Sequence, residues 1–317
     1  MFKQKIIKKI CLLLSCILIM LILYLFPKTD TINTYIPKTS YNVSNISDSL
    51  YVLDQNGYVS RIKIALKEAN TDLKALEMIK YLTINEESSK ILPEGFEGVI
   101  PEKTKVLDYK LDNNTLIINF SKELLNISKQ NERKLIESLI YSLTSIKGID
   151  NISILVNNNK LEKLPYSNEK LNDKLDKTYG INKEYDIDSI KDTTMTTVYY
   201  LSKNSSLEYY IPISKVTNDN SSKIEIIIKE LTSSPTYETN LMSYLNSETT
   251  LKNYEILDKE LSLDFNSEIL SDVTKGDILE EVTYAINLSV KNNYDVEYVS
   301  YNVENKKIAT FALKDLE

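Results

Sequence analysis

The 317-residue sequence has no histidine and no tryptophan, and its two cysteines, Cys11 and Cys16, both lie in the first apolar run. The rest of the chain therefore has no disulfide, no thiolate metal site and no cysteine nucleophile. Because histidine is the usual general base near neutral pH, its absence argues against the commonest acid–base and Ser–His mechanisms. Six dispersed glycines form no Walker loop or dinucleotide fingerprint, and a net charge of −7 does not indicate a nucleic-acid surface.

The N-terminus has the charge pattern of an export segment. Four lysines within residues 1–9 precede the uncharged run Ile10–Phe26. As a helix this run would reach about 26 Å, the short limit for a membrane span. Lysines before an apolar run stay in the cytosol, so the remainder of the chain is expected outside the membrane. We predict a cytosolic tail (residues 1–9), a transmembrane anchor or signal segment (10–26) and a polar tether (27–47).

The fate of this segment has three readings. The length of the run favours an uncleaved anchor. The sequence Leu13-Leu14-Ser15-Cys16 also resembles a lipoprotein cleavage box, which would place a lipid on Cys16. However, ten further apolar residues follow that cysteine, where a lipoprotein usually turns polar at once. A cleaved signal is the third reading, although no small-x-small site precedes the polar region.

An internal repeat organises the rest of the chain. Leu116–Leu125 returns 145 residues later as Leu261–Leu270, with Phe120 matched by Phe265. An apolar helical spacing seen at residues 75–82 also recurs at residues 224–231. A period of this length indicates a duplicated domain. We therefore predict a first module (residues 48–165), a linker (166–191) and a second module (192–317).

Alternating and helical patterns give each module the order β-β-α-β-β-α-β. This order predicts an α+β fold in which two helices pack on one face of a mixed or antiparallel sheet. A loop of special backbone angles interrupts the first module, with Pro93, Gly95, Gly98 and Pro101 close together. The second module has no such loop, since residues 234–250 contain one proline and no glycine.

Two partial motifs for catalysis or metal binding occur in the sequence, and neither is complete. Ser60 and Lys63 fit the S-x-x-K pattern of penicillin-binding enzymes, but they lie in a predicted strand and have no S-D-N or K-T-G partner. The acidic residues of 184–192 lack the turn glycine and terminal glutamate of a calcium loop, so a solvated linker explains them better. We therefore predict no enzyme activity, no cofactor, no metal and no small-molecule substrate.

Four motifs of the first module carry a family resemblance. They are Leu-Pro-x-Gly-x-x-Gly-x-Ile-Pro, the strand ending in Asn-Phe-Ser at Phe120, the helix Leu-x-x-Leu-Ile-Tyr-Ser-Leu-Thr and the strand Gly-Ile-Asp-Asn-Ile-Ser-Ile-Leu-Val. Together they resemble the GerM-type domain of sporulation and spore germination. The resemblance implies a structural signature at Pro93, Gly95, Gly98, Pro101, Phe120 and Phe265 rather than a catalytic site.

The resemblance also implies a function. Relatives with two such domains help to assemble a ring-like channel complex between the mother cell and the forespore. We therefore expect a single-pass protein of the cell membrane whose bulk faces the intermembrane space, bound to other membrane-anchored sporulation proteins, including ring-forming ones. The alternative is a cell-envelope binding or regulatory lipoprotein that acts outside sporulation.

Overall fold

A computed structural model describes residues 48–205, 207–233 and 239–316. The predicted tail, the anchor at residues 10–26, the tether and Cys16 lie outside the described residues. Within the described ranges, no helix is long and apolar enough to cross a membrane.

The first module consists of seven strands and three helices. In chain order they are β1 (Asp48–Asp54), β2 (Val59–Ile64), α1 (Thr71–Leu82), α2 (Glu86–Ile91), β3 (Phe96–Glu97), β4 (Val106–Asp112), β5 (Thr115–Phe120), α3 (Glu132–Leu143), β6 (Asn151–Val156) and β7 (Asn159–Lys160). The β1–β2 turn forms because Gly57 takes a positive φ of 79° and the Asp54 carboxylate accepts from the Asn56 and Tyr58 amides.

The linker and second module add seven strands and two helices in the described ranges. They are β8 (Glu184–Asp186), β9 (Thr194–Asn204), β10 (Leu207–Thr217), α4 (Lys223–Ser233), β11 (Leu251–Leu257), β12 (Glu260–Phe265), α5 (Glu280–Asn293), β13 (Tyr298–Val303) and β14 (Lys306–Ala312). The predicted repeat is visible in detail. Strands β5 and β12 both pass into a short 3-10 helix, at Lys122–Leu125 and Ser267–Ile269.

Each module has its own four-stranded mixed sheet. The orders are β4-β5-β6-β7 and β11-β12-β13-β14, and in both sheets a parallel pair lies between two antiparallel pairs. Both edge strands also carry an irregularity at the same place, between Val106 and Asp108 and between Leu251 and Asn253. These four positions are related by the 145-residue period.

A third sheet is shared by the two modules. It has the order β3-β1-β2-β10-β8, with β9 paired to the other side of β10. The first hairpins of both modules therefore leave their own sheets and join each other. The prediction of one sheet per module with the helices on one face is wrong in this respect, while the α+β class is confirmed.

The physical reason lies in helices α3 and α5. Nine consecutive residues of each are buried, Leu135–Leu143 in α3 and Val282–Val290 in α5. On the shared-sheet side, the hydroxyl oxygens of Ser142 and Ser289 accept from backbone amides of β1 and β9. On the other side of α5, Asn287 accepts from the Tyr301 hydroxyl of β13 at 2.8 Å. Each helix is therefore covered on two sides. The second buried face contains small polar residues, so the spacing of apolar residues in the sequence does not indicate it.

One linker side chain joins the two modules within the shared sheet. The Asn182 amide donates to the carbonyls of Val59 (2.9 Å) and Pro212 (2.8 Å), and its oxygen accepts from the Val59 amide (2.9 Å). Pro212 has no N–H to offer a neighbouring strand, so the side chain of Asn182 replaces the regular ladder there. The backbone of Asn182 has a φ of 45°, a left-handed value that asparagine tolerates well.

We predict that Asn182→Ala lowers the free energy of unfolding by about 3 kcal/mol. The change leaves buried backbone groups of β2 and β10 without hydrogen-bond partners, and it places alanine in a left-handed conformation. Asn168→Ala is the matched control. Asn168 has a φ of 57° and is exposed, so this change tests the backbone cost alone, about 1 kcal/mol. Urea unfolding of both variants measures the difference. Equal losses would contradict the bridging role of Asn182.

Candidate functional site at the junction of the modules

Two equivalent tyrosines meet at the centre of the junction. Tyr51 of β1 and Tyr199 of β9 are both buried, and their hydroxyl oxygens are 3.0 Å apart. Their amides donate to Ser142 and Ser289 respectively, each at 2.9 Å. The same arrangement thus occurs once in each module, with the hydroxyl pair between them. Burial raises the pKa of both phenols, so they act as neutral hydrogen-bonding groups.

Arg61 of β2 is a buried cation beside this pair. Its guanidinium donates to the Ser49 hydroxyl (3.0 Å), the Tyr284 hydroxyl (3.0 Å) and the Leu316 carbonyl (2.6 Å). All three acceptors are uncharged. Desolvation would raise the pKa of Tyr284, yet this pKa is lowered because the charges of Arg61 and Lys63 outweigh it. The electrostatic potential in this part of the junction is therefore positive.

A cleft of about 750 Å³ opens beside Tyr51, Tyr199 and Arg61. Four lysines also line it, and two carboxylates, Asp48 and Asp150, oppose them. The lysines are Lys74, Lys147, Lys177 and Lys291. Both modules contribute residues, so the cleft exists only because the two are joined.

The loop predicted from its prolines and glycines contacts the second module. Gly95 has a φ of 86°, and a Cβ there would lie 2.3 Å from Nδ2 of Asn204, which donates to the Glu94 carbonyl. Next to it, the rings of Phe96 and Tyr209 meet edge to face with centroids 4.8 Å apart. Gly95 is thus required both by backbone angle and by close approach to the β9–β10 hairpin.

The other signature residues act within their own modules. A Cβ at Gly98 would lie 2.4 Å from the Leu82 carbonyl oxygen, so this glycine lets the loop close on the end of α1. The carbonyls of Pro93 and Pro101 accept from the amides of Phe96 and Thr104 in tight turns. Phe120 and Phe265 are fully buried, each in its own module's sheet. The structure does not bring these six residues together into one site.

The second module makes the corresponding contact without glycine. In the first module Leu53 pairs with Glu97 of the loop, and in the second Leu201 exchanges two backbone hydrogen bonds with Met242. Both segments also contact the other module, since Asn204 donates to the Glu94 carbonyl and the Asn240 side-chain amide donates to the Asn56 side-chain oxygen at 2.9 Å.

Ser60 and Lys63 lie in β2, as expected for the rejected S-x-x-K motif, and the Ser60 hydroxyl donates to the buried Asp54 carboxylate at 3.0 Å. In the rejected calcium segment, Glu184 forms an ion pair with Lys215 at 2.6 Å. Among the residues that the structure describes, no group of three or more acidic, histidine or cysteine side chains could hold a metal ion.

Sequence reasoning missed the residues that form the junction. Asn182 lies in the segment read as a solvated linker, and Arg61 lies inside the rejected motif. No motif singles out Tyr51 or Tyr199 among the 22 tyrosines of the chain. One signal was available, since Tyr51 and Tyr199 are related by nearly the same period as the helices, 148 against 149 residues.

Glu137 of α3 forms a hydrogen bond with the linker. Glu137 is buried, and its carboxylate accepts from the backbone amide of Asn182 at 3.0 Å. Desolvation raises the pKa of Glu137 to about 7, against the lowering influence of that hydrogen bond and of Lys183, Arg133 and Lys134. The carboxyl group therefore titrates near neutral pH.

The junction and its three sheets define a class of protein: two tandem α+β modules fused through a common sheet. This class includes tandem GerMN domains, and a solved structure of those of the sporulation protein GerM from Bacillus subtilis is similar to this chain. It superimposes with a TM-score of 0.76 and 32% identity over 84% of this chain and 94% of that one.

The sequence comparisons extend the likeness. The chain is 32% identical over 287 residues to the spore germination protein GerM of Bacillus subtilis (strain 168), covering 88% of this chain and 77% of that protein. The family model described as Germane, sporulation and spore germination, matches residues 49–162 and 197–309. The chain belongs to the Germane family, as its motifs predicted, and it carries two copies of the family's domain.

We predict that Glu137→Gln removes a pH dependence of stability. A glutamate whose folded-state pKa is about 7 and whose unfolded pKa is near 4.5 makes the folded state bind more protons between these values. The wild-type chain therefore loses up to about 3 kcal/mol of this contribution as pH rises from 4.5 to 7. Glutamine keeps the acceptor for Asn182 and does not titrate.

The measurement is the free energy of unfolding of both chains from pH 4 to 8, with the exposed Glu162→Gln as control. The difference between wild type and E137Q should change across this window. A constant difference would refute the assignment.

Gly95→Ala is expected to cost about 2–3 kcal/mol of stability, through left-handed strain and collision with Asn204. In an Asn204→Ala background the collision is removed, so the same change should cost only about 1 kcal/mol. A double-mutant cycle from thermal or denaturant unfolding measures this coupling. Strictly additive losses of unfolding free energy would show that a side chain at position 95 does not collide with Asn204 of the second module.

Proposed function

We propose that this protein is a non-enzymatic, membrane-anchored scaffold for sporulation or spore germination, with its two modules outside the cytosol. The family match to both modules is the observation that carries this proposal, since a sporulation-related role follows from the family. The finer proposal is assembly with other membrane proteins of the channel complex between mother cell and forespore. The predicted anchor at residues 10–26 would hold the protein at the membrane.

The rigidity of the junction supports a scaffold. Hydrogen bonds from Asn182, the tyrosine pair and the Gly95 loop all connect the modules. The described residues lie within one compact unit. A unit of this kind holds two binding surfaces at a fixed separation, which lowers the entropic cost of binding two partners.

Strand edges supply the candidate contact surfaces. Strands β4 and β11 lie at the ends of their sheets and occupy equivalent places in the two modules. The β11 edge is the more apolar, with Tyr254 37%, Ile256 49% and Leu257 64% exposed. An apolar edge strand offers both side chains and unpaired backbone groups to another chain. We propose that β11 docks a partner membrane protein.

Disruption of the gene tests the role in sporulation. We expect spore yield or germination to fall and to recover on expression of the wild-type protein, whereas normal yield and germination would count against the role. Complementation with a chain carrying Ile256→Lys and Leu257→Lys tests the β11 surface. A partner that docks on β11 would have to bury both lysine charges, which opposes binding.

The matched control carries Ile190→Lys and Val273→Lys, which add the same charge at positions 89% and 70% exposed. Tagged proteins are recovered from sporulating cells, and co-purified partners are identified by mass spectrometry. The β11 variant should retain at most about one fifth of the partners kept by the control. Equal recovery from both variants would remove β11 from the proposal.

A further inference from the structure

The proposed scaffold does not use the cleft at the junction of the two modules. Its floor combines Ser49, Tyr51 and Arg61 of the first module with Tyr199 and Leu288 of the second. Tyr51, Arg61 and Tyr199 are each at least nine-tenths buried. Ordered hydroxyls and a fixed guanidinium make this a preformed polar floor, unlike a surface depression between mobile side chains.

The charge of the cleft is opposite to that of the protein. Arg61 and four lysines line it against the carboxylates of Asp48 and Asp150, whereas the whole chain carries a net charge of −7. Asp48 pairs with one of these lysines, Lys74, at 3.0 Å, and Asp150 accepts from the Asn114 amide at 3.0 Å, so the five cations still exceed the two carboxylates. The positive charge is therefore concentrated locally, and a concave site of low dielectric focuses its field.

The polar floor suits oxygen-rich anions. A guanidinium has five N–H donors, and Ser49, Tyr284 and Leu316 accept three of those of Arg61. Its planar fork matches the geometry of carboxylate and phosphate groups. The side chains of Tyr51 and Tyr199 line the same space. The lowered pKa of Tyr284, next to Arg61, reports the same positive potential.

The size of the cleft bears on the ligand. A volume of about 750 Å³ lies within the range of small-molecule sites, about 300–1,000 Å³, and exceeds the needs of one simple ion. The four lysines come from four separate segments of the chain: α1, the segment after α3, the linker and α5. We propose that this cleft binds a small organic or inorganic polyanion that carries two or more phosphate or carboxylate groups.

Titration calorimetry on the full-length chain in a non-ionic detergent, at low salt, tests the proposal. The probes are pyrophosphate, citrate and acetate. Pyrophosphate or citrate should bind at one site per chain, and at least about tenfold more tightly than acetate. Preference for pyrophosphate assigns a phosphate ligand and preference for citrate a carboxylate ligand. No saturable binding up to about 10 mM of either polyanion would overturn the proposal.

Variants place the binding in the cleft. Lys74→Gln with Lys147→Gln should weaken binding of the preferred probe about tenfold or more. The control, Lys103→Gln with Lys306→Gln, removes the same charge from exposed positions outside the cleft and should change binding less than about twofold. Equal weakening in both variants would show non-specific attraction and refute the site.

Arg61→Lys separates the fork geometry from charge, since it keeps the cation and loses the planar donors. Circular dichroism first establishes that this variant is folded. A folded variant with unchanged affinity would exclude Arg61 from the site. If the variant does not fold, the lysine variants and their control decide the proposal alone.

Discussion

The two modules depend on a few hydrogen bonds where β2 meets β10. The strands pair directly at Arg61 and Tyr210, and the Asn182 side chain extends the contact to Val59 and Pro212. After Asn182 the linker continues as β8, which pairs with β10 in parallel at residues 215–217. Asn182 is therefore the branch point at which β10 changes its neighbour from the first module to the linker. Without these bonds the shared sheet would separate into two three-stranded pieces, one with β1, β2 and β3 and the other with β8, β9 and β10.

The shared sheet has a consequence for the helices. Helices α3 and α5 are each covered by a four-stranded sheet on one side and by the shared sheet on the other. Ser142 and Ser289 accept from strand backbones and the Asn287 oxygen accepts from Tyr301, so burial of these oxygens does not carry the full desolvation cost. Separation of the modules would expose one side of both helices, which ties the stability of each module to the junction.

The same geometry relates structure to function. A fused pair of modules presents two equivalent strand edges at a fixed distance, and β11 is the more apolar of the two. The fused pair of modules also encloses a positively charged cleft that neither module could form alone. In the proposed scaffold, the outer edges contact protein partners, and the cleft is a separate site for a small anion at the centre.

Strand and helix patterns were predictable from the sequence because they depend on local spacing, and the repeat was predictable because similar residues recur at a fixed period. The 145-residue repeat at Phe120 and Phe265, the α+β class and the family were confirmed. The shared sheet was not predicted, because its key pair, Arg61 with Tyr210, joins residues 149 apart that no local pattern links. Asn182 was missed for the same reason, since a single polar side chain in a polar linker looks solvated until its distant partners are known.

The central claim is that the two modules fold and open as one unit. Native-state hydrogen exchange of the full-length chain, with increasing denaturant, measures it most directly. The account predicts that the slowest amides of α3 and α5 exchange with the same free energy of opening and the same denaturant dependence. Two distinct opening energies, one for each helix, would contradict it.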